Sequence, residues 1–423
     1  MKVMVIGGGG REHAIIKKIK ENESVTEIFA LPGNGGIAQD ATCVPIGAKD
    51  IEGAVKFAKE QSIDFAVVAP DDPLVLGMVD ALEAAGIPAF GPRANAAIIE
   101  GSKVFSKNLM KKYGIPTASY EVFEDAKAAL AYLQDAPIPT VIKADGLALG
   151  KGVIIAMSRE EAEDAVRSIM EDKVFGASGS RIVIEEFLTG PEVSVLAFTD
   201  GKTLIPMVSS MDHKRAHDGD EGLNTGGMGT VAPNPYYTDE IADVCMNTIF
   251  LPTMAAMNAE GRTFRGCLYF GLMLTPKGPR VIEYNCRFGD PETQVVLPLL
   301  ETDLLTVMQA TANGTLSELD VRFRDGAACC VIVASKGYPV KYESGFPMLL
   351  PPDTDDAFIY VAGAKRADDG TLLSAGGRVL GVTAVRDTLK DAVDAAYEMT
   401  AKVQFENGFY RHDIGAKALA AKK

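Results

Sequence analysis

Three side chains suited to binding metal and phosphate stand at alternate positions in one segment: Glu283, Asn285 and Arg287. The segment follows an apolar run and a Pro-Lys-Gly-Pro turn, so we predict that Arg280–Arg287 is the second strand of a hairpin. Alternate residues of a strand share one face. A carboxylate, an amide oxygen and a guanidinium in one row would hold a hard divalent cation beside an anionic phosphate. A solvated polar face on an amphipathic strand is the alternative interpretation of the same pattern.

The turn after this row favours a site, because it places two more acids, Asp290 and Glu292, on either side of Pro291. Tyr284 and Cys286 alternate with the polar row, so we expect them to face the core.

A glycine loop lies between the first predicted strand and the first predicted helix, in the segment Gly7–His13. Glycines let the backbone approach an anion, and the following helix offers unpaired N–H groups. A dinucleotide fingerprint is disfavoured because Glu12 occupies the third glycine position and no acid ends the second strand. We therefore predict a small-phosphate site here, with a tight structural turn as the alternative.

A second glycine-rich segment, Lys143–Gly152, is bracketed by lysines between two predicted strands. Such a hairpin can cover a triphosphate with N–H groups and ammonium ions. It is not a P-loop, because Lys151 is followed by Gly152 rather than Ser or Thr. A surface hairpin with solvated lysines is the alternative.

Two further polar segments are weaker signals taken alone. The strand end Glu185–Glu192 could read an adenine edge and ribose hydroxyls, although acids at strand ends are usually only solvated. The long loop from Asp212 to Gly229 mixes opposite charges with glycines, which is typical of a loop that grips a polar substrate. His213 could act there as a base or only as a hydrogen-bonding group.

The order of elements predicts several α/β units. Strands alternate with helices over residues 1–101, which indicates a doubly wound parallel sheet. The pattern then becomes mainly β after Glu192, and the strand Ala327–Ala334 opens a last, smaller unit that closes with a helix at Leu389–Phe405. A chain of 423 residues is also too long for one ordinary core.

Composition excludes several classes of protein. The chain is 47% apolar and 23% charged with a net charge of −15, which argues against disorder and against broad nucleic-acid or anionic-membrane binding. The spacing of its six cysteines matches no disulfide framework, and the N-terminus resembles no signal peptide. We expect a cytoplasmic protein with reduced thiols and no zinc site.

Together these segments resemble the ATP-grasp carboxylate–amine ligases and, more narrowly, the phosphoribosylamine–glycine ligase family of purine synthesis. The resemblance runs over the whole chain and is most specific in the Gly-Gly-Gly-Gly-Arg-Glu-His start and in the loop sequences Asp-His-Lys-Arg and Asn-Thr-Gly-Gly-Met-Gly. It implies an N-terminal parallel αβ domain (1–101), a two-lobed ATP-grasp domain (102–325, with a lid at about 122–190) and a small β-rich C-terminal domain (326–423).

The resemblance also implies a reaction and a set of site residues. ATP would phosphorylate glycine, and 5-phosphoribosylamine would then attack the glycyl phosphate, with Mg²⁺ (or Mn²⁺) held by Glu283 and Asn285. The implied catalytic residues are Arg287, Lys214, Asp212 and Asp290. The implied ATP-binding residues are Lys103, Lys143, Gly150, Lys151, Gly152, Glu185, Glu186, Leu188 and Glu192. The implied substrate-binding residues are Gly9, Gly10, Arg11, Glu12, Asn34, Asp71, His213, Asn224, Gly226, Pro291 and Glu292.

Three residues depart from the family pattern. Asp71 replaces a usual glutamate, which puts its contact with the ribosylamine in question, while Leu149 and Cys286 replace alanines. The alternatives are an ATP-grasp ligase for another acid or ribotide, a Rossmann-type oxidoreductase and a non-catalytic ATP sensor. We expect small-molecule partners only, no nucleic acid or membrane, and a monomer, with other purine-pathway enzymes as the protein partners to test.

Overall fold

The computed structural model describes residues 1–148 and 152–421, and its first unit is a five-stranded parallel sheet. The strand beginning at Lys2 lies in the centre, so the glycine loop that follows it opens at the carboxyl edge of the sheet. Helices cover both faces, which confirms the doubly wound prediction. In sheet order the strands are Thr42–Cys43, Glu27–Pro32, Lys2–Gly7, Phe65–Val68 and Ala89–Phe90. The helices are Gly10–Ile19, Ile51–Glu60, Asp71–Leu76, Met78–Ala84 and Ala94–Gly101.

Two antiparallel four-stranded sheets form the middle of the chain, and the main cavity lies between them. The first sheet carries the lysine–glycine hairpin and is packed against two helices, Ala126–Leu133 and Arg159–Val166. Its strands are Tyr120–Phe123, Ile182–Glu186, Thr140–Ala144 and Val153–Ala156. The strands of the second sheet are Leu204–Pro206, Glu192–Thr199, Gly266–Thr275 and Gly278–Asn285.

The last large sheet joins the middle of the chain to its C-terminal part. Two of its strands flank the long polar loop, so that loop is built on the same sheet as the C-terminal strands. The strands are Met211–Asp212, Gly229–Ala232, Ala327–Ser335, Arg378–Arg386 and Ala357–Val361, with Gly408–Phe409 paired to one end. The small sheets are Arg215–His217 with Glu221–Asn224, and Pro347–Met348 with Leu372–Ser374 and Ala364–Arg366.

The remaining helices connect these sheets. The sequence pattern predicts one helix over residues 239–260, but the structure divides it. A wide π-helical turn, Met246–Phe250, separates two α-helical pieces there. The remaining α-helices are Lys103–Tyr113, Asp239–Cys245, Leu251–Ala259, Thr293–Val296, Leu304–Asn313, Leu389–Thr400 and Ala416–Ala420. None of the helices within the described ranges is long and apolar enough to cross a bilayer.

Several predicted boundaries were wrong. The hairpin strand begins at Gly278 rather than Arg280, and the strand predicted at 327–334 continues to Ser335. The hairpin strand ends at Asn285 rather than Arg287, because the Cys286 N–H donates to the Glu100 carboxylate instead of continuing the ladder. The closing helix ends at Thr400 rather than Phe405, because Gln404 pairs with Leu349 as an isolated β-bridge. The expected core positions of Tyr284 and Cys286 were confirmed, since both are buried in the same apolar cluster.

Candidate active site

A cavity of about 740 Å³ gathers most of the residues that the sequence predicts for the site. It lies where the two middle sheets, the long polar loop and the N-terminal unit meet, so residues far apart in the chain share its walls. The predicted residues on these walls are Asp71, Lys103, Lys143, Gly152, Glu185, Glu186, Leu188, Glu192, Asp212, His213, Lys214, Asn224, Gly226, Glu283, Asn285, Arg287, Asp290 and Glu292.

The other predicted residues fall outside these walls. Gly150 and Lys151, with the departure Leu149, lie outside the described residues. The glycine-loop residues Gly9–Glu12 and Pro291 adjoin the cavity at Asp290, and Asn34 lines a smaller cavity of about 510 Å³.

Glu283 and Asn285 both line the cavity, and both belong to the strand Gly278–Asn285 at the edge of its sheet. The Glu283 carboxylate lies 3.7 Å from the Lys214 ammonium. Burial opposes ionisation of Glu283, but Lys214, Lys143 and Lys103 outweigh it and lower the pKa of this carboxyl. The group is therefore an anion at neutral pH, as a metal ligand must be.

The donor set fits a divalent cation that also binds phosphate. One carboxylate and one amide oxygen, two residues apart on a strand, supply only part of a coordination shell. Mg²⁺ is usually bound in this way, with one or two carboxylates completed by substrate phosphates and water. The surrounding lysines suit the phosphates rather than the cation.

Arg287 lies just beyond the strand end and still reaches the same site. Its Nη2 donates to Asn285 Oδ1 at 3.2 Å and lies 3.1 Å from the Glu100 carboxylate. Burial raises the pKa of Glu100, while Arg287 opposes that shift. Burial also works against ionisation of Asp71, but Arg287 and Arg11 lower the pKa of Asp71 overall. The Arg287 guanidinium is thus close to two acids, Glu100 and Asp71. Asp71 has a shorter side chain than the glutamate usual in the family, but its charge still interacts with Arg287.

Glu185 lies between two buried lysines at the other end of the cavity. Its Oε2 is 3.0 Å from the Lys107 ammonium and 3.1 Å from the Lys143 ammonium. Burial lowers the pKa of Lys107 to about 8 despite the neighbouring Glu185. Oε1 of Glu185 is buried without a hydrogen-bond partner among the described residues, so a donor from a ligand would complete it.

The neighbouring predicted groups are positioned by backbone contacts. The Lys103 ammonium donates to the Gly146 carbonyl at 3.0 Å, which joins its helix to the glycine-rich hairpin. Glu186 accepts from the Ser119 backbone and hydroxyl, and this backbone bond lowers the pKa of its exposed carboxyl. Glu192 also lines the cavity, and its carboxylate lies 3.6 Å from the Lys214 ammonium.

Asp212 and Lys214 both line the cavity at the base of the long loop, where the charge of Lys214 acts on the Asp212 carboxyl. Burial, reinforced by Glu292, raises the pKa of Asp212 well above its usual value. Glu192, with Glu283 and Tyr269, raises the pKa of Lys214 despite its burial. The loop backbone must come close here: Gly227 has φ +116°, and a Cβ on it would lie 2.6 Å from Asp212 Oδ1.

Glu12, at the end of the N-terminal glycine loop, accepts a hydrogen bond from the loop itself. Glu12 accepts from the Gly9 N–H at 2.7 Å and pairs with Arg11 at 2.7 Å. Because Glu12 is only 1% exposed, its carboxylate holds the loop rather than facing the cavity. Gly10 packs against Gln294, where a Cβ would lie 2.8 Å from the amide nitrogen.

Two predicted substrate-binding side chains already have all their polar atoms engaged by protein. The Asn34 amide donates to the carbonyls of Gly8 and Val361 and accepts two backbone N–H groups. His213 contacts the backbone through both ring nitrogens. The geometry favours a loop-holding role for both residues.

Several residues that line the site, or contact residues that line it, were not among the sequence-predicted ones. Arg378 reaches from a C-terminal strand to the carbonyls of Gly226 and Asp290, at 2.9 and 2.8 Å. It stands in a Gly-Gly-Arg segment that resembles the family, but no chemistry in the segment pointed to its partners. The Tyr269 and Ser194 hydroxyls both contact Glu292, at 3.2 and 3.3 Å, and Glu100 and Lys107 complete the set.

The arrangement can bind a polyanion with its metal in one part of the cavity and an acid with an amine in another. The Lys214 ammonium lies close to Glu283, and the Arg287 guanidinium lies close to Asn285. No cysteine thiol is placed as a nucleophile on the described walls. Catalysis would rest on positioning charges and on excluding water.

Comparison with known proteins agrees with this geometry. Family models for the three domains of phosphoribosylglycinamide synthetase match the chain: the N domain at residues 1–100, the ATP-grasp (A) domain at 101–293 and the C domain at 328–417. A phosphoribosylamine–glycine ligase of Caldanaerobacter subterraneus is 46% identical over 98% of this chain and 100% of its own length. One of Rhizobium meliloti is 48% identical, and the match covers 99% of both chains.

Solved structures give the same picture. A crystal structure of phosphoribosylamine–glycine ligase from Thermotoga maritima matches with a TM-score of 0.85 and 36% identity, over 98% of this chain and 100% of that one. The biotin carboxylase domain of Hydrogenobacter thermophilus 2-oxoglutarate carboxylase matches with a TM-score of 0.75 at 17% identity, over 97% and 91%, which is a likeness of fold alone. The chain belongs to the phosphoribosylglycinamide synthetase family, with an ATP-grasp domain at its centre.

Proposed function

We propose that the chain joins glycine to 5-phosphoribosylamine at the expense of ATP, in de novo purine synthesis. The products are glycinamide ribonucleotide, ADP and phosphate. One observation carries the proposal: Glu283 and Asn285 share a cavity with the lysines around Glu185 and with the Asp212–Lys214 pair, in a chain of this family.

The nucleotide occupies the end of the cavity near Glu185. Lys103, Lys143 and Lys151 neutralise its phosphates, and backbone N–H groups at Gly150 and Gly152 assist them. Glu185, Glu186 and Leu188 hold the adenine, and Glu192 the ribose. Within residues 1–148 and 152–421 nothing donates to the buried Oε1 of Glu185, which supports this orientation because a donor from a ligand would complete it.

Glu283 and Asn285 hold Mg²⁺ or Mn²⁺ with the ATP phosphates. When bound, the ion neutralises phosphate charge during transfer. Activity titrated separately with each ion, under otherwise equal conditions, decides which of the two the enzyme uses.

In the first half-reaction a glycine carboxylate oxygen attacks the γ-phosphorus, and the bond to ADP breaks. Arg287 and Lys214 hold the carboxylate against its electrostatic repulsion from the phosphate. The acyl phosphate is labile, so the enclosed cavity protects it from water.

In the second half-reaction the amine attacks the carbonyl carbon and phosphate leaves. The nitrogen loses a proton as the C–N bond forms, and Asp212, Asp290 and Glu292 surround the place where this happens. Asp212 is the proton acceptor we favour, because it lines the cavity at the base of the polar loop, and burial and Glu292 raise the pKa of its carboxyl.

The ribosyl phosphate lies against the N-terminal glycine loop. Gly9, Gly10 and Arg11 bind the phosphate group, and Asp71 faces the sugar beside Arg287. Glu12 and Asn34 keep the loop in shape, and Pro291, Asn224 and Gly226 border the sugar from the polar loop and its neighbour.

We also infer a monomer in the cytoplasm. The six cysteines, all of which are described, are free thiols, as expected in a reducing compartment. Sedimentation of the pure protein tests the first inference, and fractionation of the source cells tests the second.

The decisive experiment measures ADP release from Mg²⁺-ATP with glycine and freshly generated 5-phosphoribosylamine, each alone and both together. We expect full turnover only with both, and glycinamide ribonucleotide by mass spectrometry. Release that ignores either substrate would overturn the proposal. Replacing glycine by alanine or another small acid, and the ribosylamine by other ribotides, tests the alternative of a different ATP-grasp ligase.

A further inference from the structure

Two buried histidines stand beside the two loops that enclose the proposed ribosylamine site. His13 follows the N-terminal glycine loop, and His213 lies between Asp212 and Lys214. They are 2% and 4% exposed. Neither ring faces the cavity with a nitrogen to spare, so their surroundings define another role.

The His13 ring joins the N-terminal unit to the C-terminal sheet. Its Nδ1 accepts from the Val361 backbone N–H at 2.8 Å, and its Nε2 lies 3.0 Å from the Asp40 carboxylate. A backbone N–H can only donate, so Nδ1 carries the lone pair and the proton is on Nε2. The Val361 carbonyl accepts from Asn34, so both polar atoms of this residue are tied to the N-terminal unit.

The His213 ring makes the corresponding connection with the opposite tautomer. Its Nδ1 lies 3.0 Å from the Gly229 carbonyl, which can only accept, so the proton is on Nδ1. Its Nε2 accepts from the Gly415 backbone N–H at 3.1 Å. Each histidine therefore accepts one backbone N–H from the C-terminal part of the chain.

Arg378 lies in the C-terminal sheet that these two contacts join to the loops. It donates to the carbonyls of Gly226 and Asp290, two residues that line the cavity. Its guanidinium is also 3.5 Å from the Asp290 carboxylate. A small shift of the C-terminal part away from the two loops would break this set of contacts.

We propose that His13 and His213 are positioning residues of opposite tautomer, which fix the C-terminal sheet against the two substrate loops and so place Arg378 at the ribosylamine site. The part of the test that measures the KM for 5-phosphoribosylamine rests on the proposed function. A general-base role for His213 is inconsistent with the geometry, because its one lone pair already accepts from Gly415.

The opposite tautomers allow a crossed test with asparagine and glutamine. The asparagine amide places its polar atoms near Nδ1 and the glutamine amide near Nε2. His13→Asn and His213→Gln keep an acceptor for the C-terminal N–H, whereas His13→Gln and His213→Asn lose it. We expect the second pair to raise the KM for 5-phosphoribosylamine at least about fivefold above the first pair, with the KM for ATP unchanged. Asn and Gln at the exposed His217 are the matched controls.

The crossed pattern distinguishes positioning from general damage. Equal effects of Asn and Gln at each site, or an equal rise in the KM for ATP, would overturn the proposal. Two measurements on the wild-type protein do not depend on variants or on the substrate. ¹⁵N chemical shifts should show His13 protonated on Nε2 and His213 on Nδ1, and hydrogen exchange should show protected Val361 and Gly415 amides. The same tautomer on both rings would refute the inference even if the ligase activity is confirmed.

Discussion

Oε1 of Glu100 lies 3.1 Å from Nη2 of Arg287, in a buried ion pair just beyond the strand that carries Glu283 and Asn285. The other carboxylate oxygen of Glu100 accepts the Cys286 N–H at 2.7 Å. One acid thus ends the strand and orients the guanidinium at the same time. The position of Arg287 in the site depends on a residue almost two hundred positions earlier in the chain.

Glu100→Gln should lower both activity and stability. The amide can still accept from Cys286, but it removes the nearer of the two acids beside the buried guanidinium, and breaking a buried pair costs up to about 3–5 kcal/mol. We expect kcat to fall about tenfold and the thermal midpoint to drop, measured by ADP release and circular dichroism. Asp320→Asn is the control, because the Arg322–Asp320 pair is 72% and 71% exposed and should contribute little. A fully active Glu100→Gln enzyme would show that the pair does not orient Arg287.

Arg287→Ala should lower kcat by about a hundredfold or more, the usual scale for losing one transition-state contact. Its guanidinium donates to Asn285 Oδ1 at 3.2 Å, so the truncation removes charge beside the transferred phosphoryl group. Steady-state ADP release with saturating substrates measures the effect. An unchanged kcat would mean that Arg287 is structural.

Local patterns in the sequence predict the elements of this fold well. Short apolar runs closed by turn residues predict strands at Phe65–Val68 and Val153–Ala156, and the structure has strands with these bounds. The helix expected at 389–405 was too long, since its last residues pair with Leu349 and no local signal reports such a distant contact.

The candidate site could be predicted from the sequence only in part, where its residues follow a local pattern. Glu283 and Asn285 alternate on one strand, so their common face is visible in the sequence. The partners of Arg378 lie more than eighty residues away, and Lys107 differs from its exposed neighbours only by what the fold packs against it. Contacts of that kind are properties of the tertiary structure, and only the assembled fold shows them.

Lys107→Met should weaken ATP binding selectively. It removes one of the two ammonium ions that hold Glu185 Oε2, while Lys143 remains at 3.1 Å. We expect the KM for ATP to rise about tenfold, the scale of one hydrogen bond to a charged group, and the KM for the ribosylamine to stay the same.

Lys111→Met is the matched control for Lys107→Met. Both ammonium ions lie 5.7 Å from the Tyr120 ring centre, but Lys111 is exposed and makes no ion pair with Glu185. Equal changes in both variants would assign the effect to the aromatic contact instead.

Mild acid should destabilise the fold through His213. Burial lowers the pKa of His213 to about 4, with Arg411 adding to the shift and Asp220 and Asp413 opposing it. The unfolded chain titrates near pH 6.5, so this contribution to stability is complete above that pH and is lost as the pH falls toward 4. At pH 5 the loss is about 2 kcal/mol.

His13 should add to the effect, because burial lowers the pKa of its ring as well, with Lys17 assisting and Asp40 and Asp353 opposing. Denaturation midpoints at pH 7 and pH 5 measure the total for the wild type. His213→Gln should show a smaller drop than the wild type between the two pH values, since glutamine does not titrate. Identical drops would mean that the pKa of His213 is the same in the folded and unfolded states.

Gly227→Ala should disable the site by moving Asp212. A Cβ at residue 227 would lie 2.6 Å from Asp212 Oδ1 and 2.5 Å from Pro291 Cδ, so the carboxylate or the loop must shift. Because the positions of catalytic groups tolerate little displacement, we expect kcat to fall about a hundredfold. The positive φ of Gly227 adds strain, which a control must separate from the steric effect.

Gly219→Ala supplies that control from the same loop. Gly219 also has a positive φ, +72°, but a Cβ there meets nothing within 4 Å. It should lose about 1 kcal/mol of stability from backbone strain alone and keep nearly all of its activity. If both alanine variants lose activity equally, loop strain is the cause. If only Gly227→Ala does, the close approach of the loop to Asp212 is what the reaction requires.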